Sequence, residues 1–115
     1  MTEPSTVEIR IRKDSVNVRY REYYVDRKMS QVAHRIYTLP LGDVKTEKLE
    51  SDIGPIGSAL ITMLSKIDTL DFVYLTYYSI GLSKKRGKDW KAIEQAVFLD
   101  IQTALGATAY RTRSW

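Results

Sequence analysis

A chain of 115 residues without a cysteine is one domain's worth of protein, and the missing thiols exclude disulfides, thiolate metal sites, cysteine nucleophiles and cysteine-ligated clusters within it. Its formal charge of +4 raises its affinity for polyanions. No apolar run approaches the roughly 20 residues of a spanning helix, and the opening "MTEPSTVEIR" lacks an apolar signal segment, so a soluble, cytoplasmic protein without membrane contact is expected.

The first predicted element is a β-hairpin. In "TVEIRIRKDSVNVRY", Val7, Ile9 and Ile11 alternate with Glu8, Arg10 and Arg12, and Val16, Val18 and Tyr20 resume the alternation after "KDS". One face is apolar; the other is polar and basic. The adjacent Tyr23 and Tyr24 in "YREYYV" break the pattern and suggest a bulge or the strand's end. A polar turn at "DRKMSQ" leads to a third strand, "VAHRIYTL", ending at Pro40. "PLGDVKTEKLESDIGP" reads as a polar connection.

A helix is expected to begin near Asp52 or Pro55, with Ile56, Ala59, Leu60, Met63, Leu64 and Ile67 on one stripe. Proline suits the first turn, where its missing N–H has no intrahelical partner. Two strands follow, about Asp71 to Tyr77 and Ser79 to Lys84; in the second, Ile80 and Leu82 alternate with Ser79, Gly81 and Ser83. "KRGK" is a turn and Asp89 a plausible N-cap. The final helix, "WKAIEQAVFLDIQTAL", puts Trp90, Ile93, Val97, Ile101 and Leu105 on one stripe, with Gly106 as its C′ residue. The predicted fold is α+β: a mostly antiparallel sheet of five strands with two helices on one face, in the order β-β-β-α-β-β-α. Residues 1–106 form the domain, and 107–115, "ATAYRTRSW", are a loose basic tail that Tyr110 and Trp115 are placed to dock.

Catalytic constellations are missing from this pattern. His34 is the only histidine, in a strand with no second ligand beside it, so neither a metal site nor a triad can be drawn around it. "GPIG" at Gly54–Gly57 opens a helix but lacks the lysine and hydroxyl of a P-loop. Asp68 and Asp71 read as surface carboxylates. A non-enzymatic protein without cofactor or metal is expected.

Contact chemistry is more visible. The candidate surface is the basic turn of Lys84, Lys85, Arg86, Lys88 and Lys91, with Tyr77 and Tyr78 before it, and the basic hairpin face of Arg10, Arg12, Arg19 and Arg21. Eight tyrosines stand against two phenylalanines, and "RYREYY" and "TYYSIGLSKKRGK" interleave aromatic with basic residues. Surfaces of that composition bind single-stranded nucleic acid by stacking and phosphate contacts. The same residues also serve as ordinary strand formers with wet hydroxyls and solvated charges.

From Ser58 to Leu105 the spacing carries a second signal. A helix with Leu60, Leu64 and Ile67 leads through a short turn to a strand with Val73. An alternating strand with Ile80, Leu82 and Lys84 follows, then Asp89-Trp90 at a helix start and "KAIEQAV". This stretch resembles the N-terminal domain of the Nfu family, the iron–sulfur cluster assembly scaffolds related to NifU. Thr69 stands where that family often has glycine, and Tyr78-Ser79 where it often has Asp-Phe. The resemblance implies a β-β-α-β-β-α domain with "VAHRIYTLPL" in place of the family's first strand and the basic hairpin as an addition. It implies a protein-binding, accessory role in iron–sulfur cluster maturation. The family's Cys-x-x-Cys domain has no counterpart here, so this chain cannot ligate a cluster through cysteine.

Overall fold

The computed structural model describes residues 5–115. Alternation in the first strand sets the layering. In β1 (Thr6–Lys13), Val7 and Ile9 are fully buried, while Arg10 and Arg12 are exposed. The partner, β2 (Tyr20–Val25), begins later than the apolar pattern suggested. Val16 is 92% exposed and belongs to the connection, which Asp14 folds by accepting the backbone N–H groups of Val16 and Asn17 at 2.8 Å each. The adjacent tyrosines are not a bulge. Tyr23 pairs with Ile11 and is buried, and Tyr24 pairs with Arg10 on the opposite face, so the strand runs regularly through both.

The chain continues through β3 (His34–Thr38), β4 (Leu70–Thr76), β5 (Ser79–Lys84) and β6 (Ala109–Ser114). The sheet has six strands in the order β3-β4-β5-β2-β1-β6. Four pairings are antiparallel; β1 with β6 is parallel. The expected loose tail is therefore a correction. Its backbone extends along β1, and Tyr110 packs on Phe98 with ring centroids 5.4 Å apart. The fold class holds as mostly antiparallel α+β, with one strand more than predicted.

There is also one helix more. α1 (Thr46–Ile53) lies where a polar connection was expected, and it buries only Leu49 and Ile53. Gly54, at φ +91°, separates it from α2 (Pro55–Leu64). In α2 the buried residues are Gly57, Ser58, Leu60, Ile61 and Leu64, while Ile56 and Ala59 are exposed. The apolar face is thus rotated from the predicted stripe. "PIGSALITML" is apolar nearly all round, so periodicity alone did not select a face. Gly57 decides it: a Cβ there would stand 3.1 Å from the Met29 carbonyl oxygen and 3.2 Å from Leu75, so the glycine side is the one that approaches closest. α3 (Trp90–Ala104) follows its prediction, burying Trp90, Ile93, Val97 and Ile101, with Asp89 capping the Lys91 N–H at 3.1 Å and Gly106 at φ +68° beyond its end. The helices and the inner sheet face (Val7, Ile9, Tyr23, Val73, Leu75, Ile80, Leu82) close one core. Among the described residues no helix is long and apolar enough to cross a membrane.

Candidate functional site

The helices leave the other sheet face uncovered, and cross-strand register dictates what stands on it. Ile36, Tyr74, Gly81, Glu22 and Arg12 form one row across β3, β4, β5, β2 and β1. Thr38, Phe72, Ser83 and Tyr20 form a second row, and Ser79, Tyr24, Arg10 and Arg113 a third. Four arginines (Arg10, Arg12, Arg111, Arg113) meet two glutamates (Glu8, Glu22) here, leaving the face positive.

The centre of this face is built by size. β5 contributes only Ser79, Gly81 and Ser83, all buried although they point away from the helices. Flanking rings lean over them. A Cβ on Gly81 would fall 1.9 Å from the Tyr20 hydroxyl oxygen and 2.6 Å from its Cζ, so the Tyr20 ring occupies the space a side chain would take. Tyr20 reaches Phe72 at a centroid separation of 6.3 Å, and its hydroxyl lies 3.5 Å from Glu22. Burial, then the Glu22 charge, pushes its pKa up to about 12, so it is a neutral donor at physiological pH. Further rings extend the platform: His34 stacks on Tyr74 at 6.3 Å, and Tyr24 meets Trp115 at 4.7 Å.

Trp115 is the residue that sequence reasoning placed in the tail and not in the site. It is 61% exposed, its N–H donates to the Ile11 carbonyl at 2.8 Å, and its ring has the Arg10 guanidinium 4.9 Å and the Arg12 guanidinium 5.8 Å from its centroid. Arg12 also reaches Glu22 at 3.9 Å, and Arg111 donates to Glu8 at 2.5 Å. Arg10 and Arg113 have no carboxylate partner among the described residues.

The other predicted contact residues separate. Arg21 points to the helix side, donates to Glu94 and lies 5.0 Å from the Trp90 ring centroid; it holds α3 to the sheet. Burial raises the Glu94 carboxyl above its usual range although Arg21 opposes it. Arg19 belongs to the β1–β2 connection, where its carbonyl accepts the Lys84 N–H at 2.8 Å. Lys84 is only 9% exposed, with its ammonium 6.0 Å from the Trp90 ring, so it is a packed residue. Lys85, Arg86, Lys88 and Lys91 are exposed after β5. Tyr77 and Tyr78 sit at the opposite end of that strand, in its turn with β4, where their carbonyls hold Met29 and Val25. The basic turn and the tyrosine pair are therefore two places. Gly54 of "GPIG" lies beneath the Gln31 side chain and divides two helices.

No family model and no curated protein matches this chain. Among solved structures it is similar to protein SAV1430 from Staphylococcus aureus, with 13% identity and a TM-score of 0.44 over 81% of this chain and 92% of that one. A likeness at that level carries no argument about function.

Proposed function

We propose that this chain is a non-enzymatic, cytoplasmic nucleic-acid-binding module whose contact surface is the uncovered sheet face. The observation that carries this reading is the joining of rings and arginines on one accessible plane: Tyr20, Tyr24, Phe72, Tyr74 and Trp115 beside Arg10 and Arg113. Aromatic faces offer every base a stacking partner, and unpaired guanidiniums offer phosphates a counter-charge. The exposed turn at Lys85, Arg86 and Lys88 adds charge that folding does not use. The test is fluorescence anisotropy of the purified protein with labelled DNA and RNA at low and physiological salt. Saturable binding that weakens steeply with salt is expected, because neutralised phosphates release counterions. Absence of binding at low salt overturns the reading.

A protein partner is the second reading. The order α2, β4, β5, α3 across the Nfu-like stretch favours it, since helix, strand, strand, helix is what that resemblance implies. It makes the chain an accessory module of iron–sulfur cluster maturation, acting without cluster ligands of its own. Binding to an assembly protein with little salt dependence, and none to nucleic acid, is its expected signature.

A further inference from the structure

The uncovered face is unequal from end to end. Its β3 side carries rings but, among the described residues, no cation, since Arg35 pairs with the inward-facing Leu75 and donates to Asp52 of α1 at 3.0 Å on the helix side. Its β1–β6 side carries rings and free cations together. There Tyr24 and Trp115 stand 4.7 Å apart with planes inclined at 54°, Arg10 is the cross-strand partner of both Tyr24 and Arg113, and two guanidiniums crowd the indole. The Trp115 backbone N–H is anchored on β1, while the indole, in contact with Tyr24 and the two arginines, keeps 61% of its residue's surface in solvent.

We infer that Tyr24 and Trp115 form a stacking clamp for an unpaired base, with Arg10 and Arg113 taking the flanking phosphates, so that the face selects single-stranded over double-stranded nucleic acid. This rests on the nucleic-acid reading above and adds to it the ligand's strandedness and the residues that sense it. The inclined rings form a wedge that is closed at 4.7 Å, and a planar base that parts them contacts both π-faces. It displaces a ring–ring contact of non-parallel geometry and leaves the Arg10 and Arg12 guanidiniums beside the indole. A base inside a duplex is already stacked on both sides and has no face to present, so a duplex is left with phosphate contacts alone. Arg10 and Arg113 stand side by side on adjacent strands, about 5 Å apart by sheet geometry, which places positive charge alongside the wedge rather than across it.

Three full-length proteins separate the outcomes: the parent, Trp115→Leu, and Arg10→Gln/Arg113→Gln. Trp115 lies beyond the last strand, so its substitution leaves the core untouched. The probes are labelled short oligo-U and oligo-dT strands and a duplex of the same length, at low and physiological salt. The parent is expected to prefer the single strands, with exposed indole fluorescence quenched by them and not by the duplex. Trp115→Leu is expected to lose about 5- to 150-fold in single-strand affinity with an unchanged salt slope, the loss of one base stack. Arg10→Gln/Arg113→Gln is expected to lower that salt slope by about 1.4, two phosphate contacts on a single strand. Equal affinity for single strand and duplex, with Trp115→Leu binding like the parent, overturns the clamp while leaving a phosphate-binding surface. Failure of the parent to bind either probe at low salt overturns the nucleic-acid reading itself, and the clamp with it.

Discussion

Arg21 provides the sharpest test of which basic residues are structural. Its guanidinium and the Glu94 carboxylate are 18% and 15% exposed, and the Trp90 ring lies against the cation. Arg21→Leu keeps the apolar volume but strands Glu94. Breaking a fully buried ion pair costs about 3–5 kcal/mol; the residual water here reduces that, and the lost ring contact adds about 0.5–1 kcal/mol. The expected cost is about 3 kcal/mol. For a chain of this length that is a fall in Tm of about 12 °C, at roughly 4 °C per kcal/mol. Arg21→Leu/Glu94→Leu is expected to recover most of it, because a packed apolar pair substitutes for a buried ion pair at little net cost. Protonation supplies a second signature. With its folded pKa raised above the unfolded value, Glu94 binds its proton more tightly in the fold, so its own contribution to stability is fullest below the unfolded pKa and is lost as pH rises through the folded one. The gap between Arg21→Leu and the parent is therefore expected to narrow as pH falls from neutral toward the usual glutamate range. Thermal and urea unfolding across pH measure both effects. A Tm shift below about 4 °C, coupled with loss of oligonucleotide affinity, would refute the structural assignment and return Arg21 to the contact surface.

The Tyr23 ring meets Trp90 and Phe98 edge-on, with centroids 6.5 and 5.9 Å away, and its hydroxyl is buried without a hydrogen-bond partner among the described residues. Tyr23→Phe is expected to stabilise by about 1 kcal/mol, read as a higher urea midpoint; destabilisation would reveal a partner for that hydroxyl. Gly81→Ala is expected to evict the Tyr20 ring from its place over β5. Alanine's gain of about 0.5–1 kcal/mol in a strand offsets most of the lost Tyr20–Phe72 contact. The measurable change is thus in the aromatic NMR shifts of those two rings, and unchanged shifts would contradict the packing. Asp52, whose carboxyl is held below its usual range first by the Tyr37 hydroxyl and then by Arg35, joins α1 to β3. A depressed folded pKa stabilises above the unfolded value and is lost as pH falls through the folded one. Asp52→Asn is therefore expected to cost about 1 kcal/mol at neutral pH and nothing in strong acid, and a pH-independent cost would refute the assignment.

Local rules alone determined several parts of this molecule. β5 and the inward stripe of α3 follow from alternation and from period 3.6, and the Asp89 cap follows from a side chain meeting its own helix's free N–H. These features depend on neighbours within a few residues, which is why they were legible. The two additional elements were not. α1 offers one apolar pair among charges, and it becomes a helix because Leu49 and Ile53 find a core already present. β6 is polar on most of its length and pairs in parallel with a strand some hundred residues earlier, a contact with no local signature. The candidate site divides the same way. Basic and aromatic residues were visible as a composition, but period 2 says only that neighbours face opposite ways, not which way faces the helices. Register decided that: it sent Arg21 and Lys84 inward to Trp90, and it kept Arg10 and Tyr24 outside. It also carried Trp115 across the molecule to stand beside them.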